Sequence, residues 1–251
     1  MKNDLMSVSI QHFKIIDEYS LKLANDFKSD KTITYQMIQA IVDFYDTANI
    51  EKNINTERFT SAYHTPVTAD FEFLLARLLF HIGILYKKEW KIDLRRQEKK
   101  ATPDIRISNG GKTLWILELK VGMSWAKSFI CPTFYKKAIK KYEIDNKWDP
   151  DLFNRKCSLV LDKYSEIYSI PKEKIFLVIP SLASIHYRRE SKHLNLNDYR
   201  NHFNSVSGLP NRNLVIFNNN LLQNLANPKE AKVPFQPTME LESMITKLIN
   251  D

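Results

Sequence analysis

The sequence predicts an α/β protein, a single domain carrying a helical extension at its N-terminal side, and three observations lead there. Apolar residues recur with helical spacing from Ile10 to about Phe27, from Thr32 to Ala48, and again from Thr68. Short apolar runs bounded by turn residues follow, the clearest being Thr113–Lys120 and Lys174–Pro180. A further helical pattern lies between those two runs, the alternation expected when helices cover a sheet. The expected division is residues 1–67 as the extension and 68–251 as the core it packs on.

In the first helix the apolar positions are Ile10, Phe13, Ile16, Tyr19, Leu21 and Leu23; in the second they are Tyr35, Ile38, Ile41, Val42 and Tyr45. Such stripes either cover one side of a core or build a dimer surface. Residues 50–67 are polar and broken by Pro66. The third helix starts at Thr68, a candidate N-cap, with Asp70 in the first turn where the helix dipole favours an acid. Its inward stripe is Phe71, Leu74, Leu75, Leu78, Leu79, Ile82 and Leu85. Glu72 shares a flank with Ala76, Leu79 and Gly83, so it points partly toward the core and can reach a site beside the sheet. The alternative for Glu72 is a solvated first-turn position.

Residues 89–98 form a strand of poor contrast, and Lys99-Lys100-Ala101-Thr102 bends into Pro103. Asn109-Gly110-Gly111 is a strong hairpin signal, because Asn and Gly tolerate the positive φ of tight reversals. In the strand that leaves this turn, Trp115, Leu117, Leu119 and Val121 share one face and Leu114, Ile116, Glu118 and Lys120 the other. Both faces are mostly apolar, as in a central strand covered on two sides, where a carboxylate and an ammonium are costly unless paired or bound to an ion. Register decides what Glu118 meets. With Gly110-Gly111 alone as the loop, Asp104 pairs with Leu117 and lies on the opposite side from Glu118. A three-residue loop with a bulge, or a distortion near Pro103, shifts the pairing by one and brings Asp104 to the face of Glu118 and Lys120.

After an irregular stretch from Gly122 to Pro132, a helix is expected from Thr133 to Asn146 with Phe134, Ala138, Ile139 and Tyr142 inward. Lys136, Lys137, Lys140 and Lys141 then line its outer side, either contacting phosphates or simply solvated. Arg155 to Ser169 is ambiguous between helix and strand, and Lys174–Pro180 is a buried strand ended by proline. The basic, aromatic-dotted segment His186, Tyr187, Arg188, Arg189, Lys192, His193 precedes a short helix from Asn197 to Asn204. Leu214–Phe217 is a further strand, and Asn218 to Leu225 opens a helix. Pro228, Pro234 and Pro237 mark an extended connection before a terminal helix from Met239 to Ile249.

Composition narrows the function classes. The 251 residues are 43% hydrophobic, enough for a real core. Thirty-seven Lys+Arg against 29 Asp+Glu give a net charge of +8, weak support for a polyanionic partner. No run resembles a signal peptide or reaches the length of a membrane span, so a cytoplasmic protein without a membrane partner is expected. Cys131 and Cys157 are too few and too isolated for a zinc site or a disulfide framework, which leaves oxygen ligands for any metal. Gly110-Gly111-Lys112-Thr113 lacks the first glycine of a phosphate loop and lies between strands. The six histidines show no metal spacing, and a Ser-His-Asp triad has no local support.

Asp104 and Glu118, once together, make an open carboxylate site of the kind Mg²⁺ accepts, with Mn²⁺ expected to substitute and the Leu119 carbonyl as a further ligand. Lys120, on the face of Glu118, is placed to orient or deprotonate an attacking water and to stabilise developing negative charge. Glu72 can hold a second metal or a water from the helix side. Pro103-Asp104 followed across a hairpin by Glu118-Leu119-Lys120 resembles the PD-(D/E)xK nuclease superfamily. The likeness spans roughly Thr68 to Pro180 and implies a restriction-endonuclease-like core: a helix carrying an acid, a three-stranded meander, a crossover helix and further strands. It implies metal-dependent phosphodiester hydrolysis with Asp104, Glu118, Lys120 and Glu72 as catalytic residues. Some relatives carry a glutamine on the crossover helix, where this chain has Lys136 and Lys137.

Helices before the core and a basic, Asn-rich extension after it are similar to a type II restriction endonuclease. That implies sequence-specific cleavage of double-stranded DNA and, for a palindromic site, a C2 homodimer. Arg188, Arg189, Lys192 and the run Asn195 to Asn204 offer arginine-to-guanine and asparagine-to-adenine contacts. The rivals are a repair or recombination nuclease acting on structured DNA, a DNA-binding protein with the nuclease fold and no catalysis, and an α/β interaction protein in which Glu118 and Lys120 form a simple ion pair.

Overall fold

The computed structural model describes residues 2–53, 67–97, 101–119, 143–144, 147–148, 163–181, 213–219 and 234–251. Helices α1 (Lys2–Lys28), α2 (Thr34–Asn53) and α3 (Val67–Leu85) lead into strands β1 (Lys91–Leu94), β2 (Ile105–Asn109) and β3 (Lys112–Leu119). A small separate hairpin, β4 (Glu143–Ile144) with β5 (Lys147–Trp148), precedes β6 (Ile175–Ser181), β7 (Leu214–Asn218) and α4 (Glu240–Asn250). The main sheet has the order β1-β2-β3-β6-β7. Its first three strands form the expected antiparallel meander, and β6 and β7 continue it parallel to β3. The fold is therefore α/β with a mixed sheet.

Every residue of β6 and β7 is buried, as continuous apolar runs in parallel strands should be. Ile105, Ile107, Trp115, Leu117, Leu119, Phe176, Val178, Val215 and Phe217 share one sheet face and join a single apolar cluster with α1, α2, α3 and α4. The inward stripe of α3 supplies its centre, and Phe71 meets Phe217 edge-on with ring centroids 6.0 Å apart. From α1 come Ile16, Leu23 and Ala24, and from α2 Met37, Ile38 and Ile41, so the N-terminal helices cover one side of the core. Not all of the α1 stripe turns inward. Ile10, Phe13 and Leu21 are exposed, although the Phe13 ring still rests on Phe73 at 4.8 Å.

A carboxylate joins the second and last helices of this layer. Ile33 stands at the cap position of α2 without a side-chain acceptor, and Glu242 of α4 supplies one. Glu242 accepts the Ile33 and Thr34 amides at 2.7 and 2.8 Å and the Thr34 hydroxyl at 2.6 Å.

Several boundaries differ from expectation. Helix α3 begins at Val67, so Thr68 lies inside its first turn rather than capping it, and Leu85 is only partly buried at its end. Strand β1 is four residues long instead of spanning 89–98. Glu143–Ile144, expected as the end of a helix, pairs with Lys147–Trp148, and the intervening Asp145-Asn146 are residue types that favour reversal. Strand β6 runs through Pro180 to Ser181, because pairing with β7 continues to Ser181–Asn218. Asn218 consequently ends β7 rather than opening a helix, and its bridge to Pro237 covers the outer edge of that strand. Within the ambiguous stretch Arg155–Ser169, residues 163–168 are helical.

Candidate active site

The hairpin closes through Gly110 and Gly111 alone, paired Asn109 to Lys112, with φ of 55° and 81° at the two glycines. Both values lie in the region where a side chain would be strained, which explains the residue choice. By itself this turn would send Asp104 to the wrong face. The shift arises instead inside the ladder: Ser108 pairs with Thr113 but Ile107 pairs with Trp115, leaving Leu114 as an extra residue on β3. Beyond the bulge Arg106 pairs with Ile116 and Ile105 with Leu117, so the next step sets Asp104 opposite Glu118. The required displacement is present, produced neither by a three-residue loop nor by a distortion at Pro103.

Both acids are half-buried and each is held by a hydrogen bond. The Leu119 amide donates to Asp104 Oδ2 at 2.7 Å, pinning the aspartate across the end of β3. The Tyr164 hydroxyl, from the helical segment 163–168, lies 3.0 Å from Glu118 Oε2 and 3.1 Å from the Thr102 carbonyl. Burial pushes the Tyr164 phenol far up, and the charges of Glu118 and Asp104 push it further, so it serves as a donor throughout the accessible pH range. On the same sheet face Arg106 pairs with Asp93 at 2.7 Å and lies over the Tyr168 ring. Burial raises the Asp93 carboxyl, but hydrogen bonding and charge from Arg106 outweigh it, leaving the group below its ordinary value.

Glu72 is 1% exposed, which excludes the solvated alternative. It does not stand alone as an acid beside the sheet: Arg95, just past β1, grips it through Nε and through Nη2, the latter 2.6 Å from Oε1. Hydrogen bonding to Glu72 raises the Arg95 pKa against the opposing effect of burial, and the fields of Glu72, Asp104 and Glu118 add to it. The register, the Leu119 amide bonded to Asp104 and the Tyr164 hydroxyl between Glu118 and the Thr102 carbonyl place the two acids at one end of the sheet.

Asp104, Glu118 and the Leu119 carbonyl would offer oxygen donors only. Two carboxylates with room for water suit Mg²⁺, which keeps several waters and needs no full protein cage. No group of three or more His, Cys, Asp or Glu that could hold a metal ion gathers among the described residues. The pairing of Glu72 with Arg95 makes it the counterion of an arginine rather than a ready second ligand. Lys120, Lys136, Lys137, Lys140, Arg188, Arg189 and Lys192 lie outside the described residues.

Arg95 and Tyr164 escaped the sequence. Arg95 sat in a strand of poor contrast with no sign of its backbone bend, and Tyr164 in the stretch that fitted helix or strand equally. Comparison with family models, with curated proteins and with solved structures gives no match. No helix among the described residues is long and apolar enough to cross a membrane.

Proposed function

We propose that this protein is a metal-dependent endodeoxyribonuclease of the PD-(D/E)xK type, cleaving double-stranded DNA in the manner of a type II restriction enzyme. The supporting observation is the β-bulge at Leu114, which turns Asp104 onto the face of Glu118 near the end of β3. Asp104, Glu118 and the Leu119 carbonyl would hold Mg²⁺, or Mn²⁺ in its place. A divalent ion so held supplies Lewis acidity for hydrolysis of a phosphodiester.

The chain's own residues prepare that site. Leu119 N–H fixes the Asp104 carboxylate, and Tyr164 fixes Glu118, so neither has to reorganise when substrate arrives. Lys120, two residues beyond Glu118 in sequence, would orient the attacking water and stabilise charge on the phosphate oxygens. Arg188, Arg189 and Lys192 would contact bases, and Lys136, Lys137 and Lys140 the backbone. Cutting both strands of a palindromic site calls for a C2 homodimer. The net charge of +8 favours the encounter with DNA.

The test is to digest a long duplex in Mg²⁺ and sequence the fragment ends. Discrete ends at one short sequence are expected. Cuts confined to junctions or flaps would transfer the protein to a repair role. Intact DNA in both Mg²⁺ and Mn²⁺ would end the nuclease proposal.

A further inference from the structure

Among the described residues, α1 and α2 each rest on α3 but barely on each other, and a cavity of about 320 Å³ opens between them. That volume is at the lower end for a small-molecule site. Its walls are one stripe of each helix, four residues from His12 to Tyr19 on α1 and four from Ala40 to Thr47 on α2, each set spaced as neighbours on a helix face. Asp70 and Leu74 of α3 complete the lining. Ile16, Asp70 and Leu74 are buried whereas Ile15, Asp43 and Thr47 are exposed, so the cavity has a closed floor and an open mouth. It shares no residue with the site at Asp104 and Glu118.

The polar groups on this lining are of one kind. Asp70 is 6% exposed, and its Oδ1 lies 3.0 Å from His12 Nε2. Its Oδ2 has no partner among the described residues and is not sealed from solvent. A carboxylate this deep costs free energy unless it is paired. Each hydroxyl of the cavity is already committed as a donor: Tyr19 gives its proton to the Gln36 carbonyl at 3.2 Å, and Thr47 to the Asp43 carbonyl at 2.9 Å. Burial raises the Tyr19 phenol and the charges of Asp43 and Asp26 add to this, so it stays protonated. With Nε2–H on Asp70, neutral His12 also has only an acceptor left. Asp43 spends Oδ1 on the Gln39 amide at 3.0 Å and keeps Oδ2. The lining therefore offers acceptors, two of them carboxylates, and among the described residues it contains no lysine or arginine.

We propose that this cavity binds a small organic cation, an ammonium carried on an apolar body. The ammonium bonds to Asp70 Oδ2, Asp43 at the mouth adds attraction, and the body lies against Ile16, Phe44 and Leu74. An anion is repelled by both acids, and a neutral apolar ligand desolvates Asp70 without giving it a partner, so a cation is the class that the lining selects. A bare metal ion fits less well, because no group of three or more His, Cys, Asp or Glu that could hold one gathers among the described residues. The site stands independently of the nuclease function proposed above.

The experiment uses the full chain as wild type, Asp70→Asn, Asp43→Asn and Ala40→Leu. Asp70→Asn keeps an oxygen for His12, and Ala40→Leu fills the cavity while leaving both acids, so either tests the site should the other fail to fold. Calorimetry measures binding of benzylamine and hexylamine, which carry the same ammonium on an aromatic and an aliphatic body, with benzyl alcohol and benzoate as neutral and anionic counterparts. Backbone amide shifts report where the ligand sits. At least one amine is expected to bind wild type with a Kd of about 1 mM or below, within reach of ligands this small, and to shift amides of α1 and α2. Asp70→Asn should weaken it about tenfold or more, as loss of a charge-assisted bond predicts, and Asp43→Asn about two- to threefold. Ala40→Leu should abolish binding, and benzyl alcohol and benzoate should bind wild type about tenfold more weakly than benzylamine or not at all. Failure of both amines to bind, equal binding of benzylamine and benzyl alcohol, or a folded Asp70→Asn or Ala40→Leu protein that binds like wild type would each overturn the inference.

Discussion

The two faces of the central sheet divide the labour of the molecule. One face, from Ile105 and Trp115 across to Phe217, is apolar and joins four helices in a single cluster. The other is equally buried through Ile116, Ile175, Leu177 and Ile216, but toward β1 and β2 it carries Asp93, Arg106 and Glu118, attended by Tyr164 and Tyr168. Charged groups at these positions cost free energy unless each has a partner. Concentrating them on one face lets the other supply stability without compromise, so stability and chemistry should respond to different substitutions.

The largest expected effect lies on the apolar face. Phe71→Ala removes a fully buried ring packed on Phe217 and should cost about 3–5 kcal/mol in urea unfolding, with kcat/KM unchanged while the protein stays folded. Glu118→Gln should do the reverse, lowering cleavage by about 10²–10³-fold, the range for loss of one electrostatic partner at an active site. Gln keeps an oxygen acceptor for Tyr164, so the variant's unfolding free energy should fall by no more than about 1.5 kcal/mol. A Glu118→Gln protein that cuts normally, or that unfolds as readily as Phe71→Ala, would break the division.

Tyr164→Phe sharpens the boundary, since the ring stays and only the hydroxyl bonded to Glu118 goes. About 1.5–3 kcal/mol of stability should be lost, the range for a hydrogen bond to a charged group, and cleavage should fall by less than for Glu118→Gln. The smallest effect is a pH dependence. Asp93 is depressed by Arg106 despite its burial, and Asp17 is depressed chiefly by its hydrogen bond to Arg77. A carboxyl depressed in the folded state stabilises fully above its unfolded value near 3.8 and loses that contribution as pH falls through the lower folded value. Urea midpoints should therefore decline only below about pH 4. Arg106→Ala should flatten the Asp93 part of that decline.

How much of this could be read from residues alone follows from what each residue type constrains. The double-glycine turn and the period-two strands were legible, because positive φ and alternating side chains leave direct marks in sequence. The flank that Glu72 shares with Ala76, Leu79 and Gly83 was legible from helical period, and its burial follows. Leu114 was not, since a bulge residue need be neither glycine nor polar and its placement depends on both strands. Nor was Arg95, whose partners Glu72 and Asp104 lie on a different helix and a different strand. The β4–β5 hairpin failed for a related reason: a helical apolar spacing over 133–146 did not reveal pairing across the next few residues.

The Glu242 cap has a consequence for how the chain acquires its structure. Helix α2 obtains the acceptor for its first amides from a residue 208 positions later than Thr34, so its N-terminus is completed only after that whole span has been synthesised. Closing so distant a contact is entropically expensive and sets in after local helices and the hairpin have formed. A growing chain on the ribosome would therefore carry α2 in an uncapped, fraying state, and the helical layer would lock in one cooperative step once α4 emerged.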